Sequence, residues 1–78
     1  MTHLIVVEAR GDGWAVRSDR LATDMTFRSG AAAEQSARRL AERLARAGQT
    51  AEIQIRLRNG ALAGRFVSPA RTLEAELA

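Results

Sequence analysis

The chain has no cysteine and no lysine, and it carries one histidine, one proline, one tryptophan and two phenylalanines in 78 residues. Without cysteine, no disulfide or thiolate metal site can staple it. With His3 as the lone imidazole, soft-ligand and imidazole metal centres are excluded as well. No apolar run approaches the ~18 residues of a membrane-spanning helix, so no membrane role is expected. The opening MTHLIVVEAR holds neither a basic leader nor a long apolar segment, which reads as a cytoplasmic protein.

Catalytic groupings are equally sparse. Asp12, Asp19, Asp24, Glu34 and Glu42 are scattered over a turn, a polar loop and a helix surface. No pair of them is held on facing core positions, as glycosidase-type chemistry requires. Ser18, Ser29, Ser36 and Ser68 have no base that the pattern places beside them. Gly11-Asp12-Gly13 lacks the lysine and hydroxyl residue of a phosphate-cradling loop and joins two strands, so it reads as a plain turn. No enzymatic activity, cofactor or metal is expected.

What the chain does have is arginine. All twelve basic residues are arginine, set against nine acidic ones, for a net charge of +3. Guanidinium groups stay charged to very high pH, so the isoelectric point of 11.3 overstates how basic the surface is near neutrality. Arginine and alanine without lysine is also what GC-rich coding tends to produce. The isoelectric point alone therefore does not imply a polyanion partner.

The strongest local signal is the stretch AEIQIRLRNGALAGRFV at residues 51–67. Ala51, Ile53, Ile55 and Leu57 alternate with Glu52, Gln54, Arg56 and Arg58, the period of a half-buried strand. Asn59-Gly60 suits a two-residue type I′ turn, which places Leu57 opposite Leu62, Ile55 opposite Gly64 and Ile53 opposite Phe66. The other face then carries Arg56, Arg58 and Arg65 with Glu52 as their acidic company.

Upstream, Leu4-Ile5-Val6-Val7 reads as a first strand and Trp14-Ala15-Val16-Arg17 as its hairpin partner. Ile5, Val7, Ala9, Trp14 and Val16 fall on the core face. Leu4 and Val6 fall on the other face, where they need a cover or a second chain. Residues 18–24 read as a connection, and Met25-Thr26-Phe27 as a short extended segment that places Phe27 in the core. Ser29 is a helix N-cap, and a helix is predicted from Ala31 to Ala47, with Gly48 as its C′ residue. Ala33, Ala37, Leu40, Ala41, Leu44 and Ala47 form its apolar side. Glu34–Arg38 and Glu42–Arg46 have the favourable acid-first spacing, whereas Arg39 and Arg43 lack an acidic partner and share a flank with Arg46. Ser68-Pro69 suits the start of a C-terminal helix with Leu73 and Leu77 on one face, which must dock on something or fray.

Hairpin, helix and hairpin give a single α+β domain of ββαββ order, one antiparallel sheet with one helix across one face. The GDGWAVRSD hairpin, TFRSGAAAEQSARRLA leading into the helix and the NGALAGRFV return strand carry a resemblance over about residues 3–67. The chain resembles a family of short bacterial ββαββ proteins known as a domain of unknown function. That resemblance implies a fold but no activity and no catalytic residues.

Two functions are expected. The first is protein–protein interaction or homodimerisation through Leu4, Val6, Leu73 and Leu77, or through an open sheet edge. The alternative is weak, salt-dependent nucleic-acid binding through Arg17, Arg56, Arg58 and Arg65 on the outward sheet face. Trp14, Phe27 and Phe66 all point inward in this reading, so that face offers no base-stacking platform.

Overall fold

The computed structural model describes residues 2–71. In chain order the elements are β1 (Thr2–Arg10), β2 (Gly13–Ser18), β3 (Met25–Phe27), α1 (Gly30–Arg46), β4 (Thr50–Arg56) and β5 (Leu62–Ser68). They form one five-stranded sheet in the order β3-β2-β1-β4-β5, with α1 packed across one face. The α+β class stands, whereas the ββαββ antiparallel arrangement is corrected to βββαββ with a mixed sheet. Met25–Phe27 is a true third strand, pairing Trp14 with Phe27 and Val16 with Met25. Two reversals leave β3 running in the same direction as β1. The 17-residue helix, about 26 Å long, then returns the chain to the end where β1 begins. β4 consequently lies beside β1 in parallel, with Thr2 opposite Thr50 and Val7 opposite Ile55.

That order makes β1 the middle strand. Ile5 and Val7 face the helix, and Val6 faces the other way yet is only 3% exposed. Flanking strands bury Val6 on the face away from α1, whereas Leu4 on that face stays 43% exposed. The core gathers Ile5, Val7, Val16, Ala51 and Ile53 from the sheet under Ala33, Ala37, Leu40, Ala41 and Leu44 from α1. Small alanines on the helix let its axis approach the strands. The Ser29 hydroxyl accepts the Ala32 N–H at 3.1 Å and caps the first turn. Ala45, rather than Ala47, completes the buried side.

The second hairpin keeps its predicted register through Ile53↔Phe66, Gln54↔Arg65 and Ile55↔Gly64. Beyond that point it departs. The loop has three residues, Arg58-Asn59-Gly60, because only Gly60 adopts positive φ, at 83°. Leu57 N–H donates to Ala61 O at 3.0 Å, Gly60 N–H to Leu57 O at 2.9 Å, and Asn59 Oδ1 accepts the Ala61 N–H. The extra loop residue is absorbed by a bulge at Ile55/Arg56, after which Arg56, not Leu57, stands opposite Leu62. Leu62 is thereby moved from the helix side toward the open face.

Candidate interaction surfaces

The face of the sheet away from α1 is built from alternate residues of its four longer strands. Cross-strand pairing aligns Arg17, Val6, Gln54 and Arg65 in one row, and Ala15, Glu8, Arg56 and Leu62 in the next. Three of the four candidate arginines therefore do share a surface. Their company differs from the expectation, since β1 lies beside β4 and brings Glu8 into the middle of the patch. Arg17 Nε donates to Glu8 Oε1 at 2.7 Å and Arg10 to the same oxygen at 2.9 Å, while Arg10 also meets Asp24 at 2.9 Å. On the other side Arg65 meets Glu52 at 2.7 Å. Gln54 donates to Glu52 and accepts from Arg56, which also donates to the Gly60 carbonyl. Arg58 reaches across the end of the sheet to the Gly11 carbonyl and ties the two hairpin turns together.

The electrostatics follow these contacts. The Arg17 hydrogen bond, helped by Arg10, holds the Glu8 carboxyl below its ordinary range against a smaller opposing effect of burial. Arg65, and then Gln54, do the same for Glu52. Arg10 is raised by Asp24 and Glu8, and Arg65 by Glu52. A carboxylate whose folded pKa is depressed stabilises the fold above its unfolded pKa and loses that contribution as pH falls through the folded value. Denaturant midpoints should thus fall on acidification below about pH 4. Glu8→Gln and Glu52→Gln should each flatten that acid limb, which urea titrations at stepped pH will read.

Of the candidate apolar contacts, Leu4 is 43% exposed beside Glu52, whereas Val6 is covered by its neighbours Arg17 and Gln54. Leu73 and Leu77 lie outside the described residues, and the helix start expected at Ser68-Pro69 is corrected, since Ser68 ends β5 and residues 69–71 are not helical. His3 is not a loose terminal residue. It is buried on β1, and its Nδ1 lies 3.3 Å from Asp19 Oδ2, a hydrogen bond that lowers the Asp19 pKa.

Leu62 and Phe66, which alternation assigns to the inner face, are surface residues of β5, where Val67 on the outward face joins them. Leu62, Phe66 and Val67 are 47, 41 and 56% exposed: Leu62 and Val67, opposite Arg56 and Glu52, point away from α1, and Phe66 lies on the helix side where α1, packed over β2, β1 and β4, barely reaches. Phe66 was assigned to the inner face and does lie on the helix side, where the Arg38 guanidinium sits over its ring, 4.8 Å from the centroid, and leaves it 41% exposed. Alternation names a side of the sheet; it does not say how far the helix extends across it.

Among the described residues no group of three or more His, Cys, Asp or Glu is placed to hold a metal, and no helix is long and apolar enough to cross a membrane. No family model matches the chain, and neither a curated protein nor a solved structure matches it.

Proposed function

We propose that the protein is a small cytoplasmic self-association module whose β5 strands pair edge to edge about a two-fold axis. The observation that carries this reading is β5, an unpaired sheet edge among the described residues. It is seven residues long with three exposed apolar side chains, against three residues for the β3 edge. An edge strand of this kind is a template for another strand.

The hydrogen-bond phase selects a register. The Leu57 N–H bond to Ala61 marks Leu57 as a hydrogen-bonded position of β4, and Ile53 shares its phase. Phe66, opposite Ile53, therefore directs its backbone groups inward, and Arg65 and Val67 direct theirs outward. An antiparallel pair centred on Phe66 sets Arg65 against the partner's Val67 and Phe66 against the partner's Phe66. The aromatic pair then occupies a non-hydrogen-bonded position, where side chains approach most closely. Shifting the centre to Arg65 would oppose two arginines, which disfavours that register. The contact is isologous and closes as a dimer.

The alternative, nucleic-acid binding through the sheet face, has less support. Arg17 and Arg65 already face carboxylates, and Arg56 and Arg58 already face carbonyls.

Val67→Pro tests the reading cleanly, since it removes an outward N–H while proline remains tolerated on an edge strand. The wild-type chain should be a dimer by light scattering, and Val67→Pro a monomer with an unchanged circular dichroism spectrum. A wild-type monomer at all concentrations, or a dimer indifferent to the proline, would sink the proposal. Capture of an unrelated strand by a monomeric chain would instead indicate β-strand addition to another protein.

A further inference from the structure

The positive charge that the sheet face neutralises reappears elsewhere. We infer that the flank of α1 facing β3 binds the phosphate backbone of double-stranded DNA through Arg20, Arg39 and Arg43. Among the described residues, Arg20, Arg28, Arg39 and Arg43 are the arginines whose guanidinium groups meet neither a carboxylate nor a carbonyl. Three of these four line adjoining depressions. Arg39, Arg43 and Arg46 border one with Met25 and Ser36, and Arg20 and Arg43 border the next with Leu21 and Gln49.

The flank is unbalanced in charge. Its one lining carboxylate, Glu42, is shared between Arg46 at 3.2 Å and Arg71 at 3.3 Å. Asp19, next to Arg20 in sequence, is engaged by His3. Nor are Arg43 and Arg46 needed to cap the helix end. Ala47 N–H bonds the Arg43 and Leu44 carbonyls, Gly48 N–H that of Ala45, and Gln49 N–H that of Leu44. Arg39 and Arg43 are one helical turn apart, about 6 Å along the axis, and both are exposed.

The geometry selects the partner. Trp14 and Phe27 pack against the core, and Phe66 lies under Arg38 on the opposite flank. With no aromatic platform among these arginines, single strands gain no stacking. Because α1 is packed on the sheet, this flank meets a duplex from outside its grooves, along the regular rows of phosphates that double strands present. Contacts of this kind position a protein on phosphates without reading sequence.

The test is fluorescence anisotropy of the full chain with a labelled mixed-sequence duplex DNA. With three phosphate contacts, raising salt from about 50 to about 200 mM should weaken binding about fortyfold. Arg39→Gln with Arg43→Gln should reduce the salt slope by about 2 and affinity at least about tenfold. Both side chains are exposed, so circular dichroism should show an intact fold. Arg17→Gln with Arg56→Gln, on the sheet face, should leave DNA binding unchanged. The inference is overturned by an absence of binding at low salt, by binding that only the sheet-face pair reduces, or by tighter binding of duplex RNA or single-stranded DNA. The flank lies away from β5, so the result is independent of whether the chain dimerises.

Discussion

Ile5→Ala should lower the free energy of unfolding by about 2–5 kcal/mol. A 78-residue domain holds about 4–12 kcal/mol in total, so this one change removes a large share of it. Ile5 is fully buried at the centre of the middle strand, between Ser18 of β2 and Ile53 of β4. The cost of a truncated core side chain depends on how far its surroundings can close over the void. Here the roof is largely alanine: Ala33, Ala37 and Ala41 have no torsion with which to swing inward, and Leu40 and Leu44 already fill their own positions. The effect should therefore lie toward the upper part of the range. Urea denaturation will read it, with a melting temperature lower by about 10–30 °C as a second measure. A loss below about 1 kcal/mol would show that the interface between α1 and the sheet relaxes far more readily than its composition implies.

Gly13→Ala should cost about 1–3 kcal/mol, through crowding rather than through a void. A Cβ added at Gly13 would stand 2.6 Å from the Phe27 carbonyl oxygen. That oxygen is backbone, belonging to the strand that pairs with β2, and no rotamer change can move it aside. The strands must separate, and the Trp14↔Phe27 pair is next to the separation. Loss should therefore be local before it is global. Amide exchange should speed first at Thr26 and Phe27, while Ile5 and Val7 keep their protection until the whole domain opens. Uniform acceleration across all five strands would refute the idea that β3 is a separable edge.

Both effects concern features that sequence pattern shows unevenly. Ser29 before an alanine-rich period-3.6 segment located the helix, and the alternation from Ala51 to Leu57 placed Ile53 against Phe66. Periodicity says which side of a sheet a residue occupies, but nothing about the neighbouring strand. Glu8 therefore looked remote from Arg56, although the parallel β1–β4 pair makes them direct neighbours. The apolar Val6 looked like a contact waiting for a partner for the same reason. The bulge left no mark either, because Ala61, Ala63 and Gly64 are small enough to suit either register. β3 is three residues long, too short for any period to declare itself. Of the candidate site, the arginines' common face and the Glu52 beside Arg65 were legible, and the approach of Glu8 to Arg56 was not. That approach depends on strand order, which is a property of the whole chain.

The parallel pairing of β1 with β4 also governs how the domain comes into being. Thr2 finds its neighbour in Thr50, forty-eight residues later, while β1 and β2 are joined by a tight turn. On a ribosome adding about 5–20 residues per second, the leading hairpin waits about 2–10 s before β4 is made. During that interval Leu4-Ile5-Val6-Val7, destined for the middle of the sheet, is itself an uncovered edge. The β1–β4 pairing is the most sequence-distant contact between strands in the sheet, and folding kinetics should show it forming after the two hairpins.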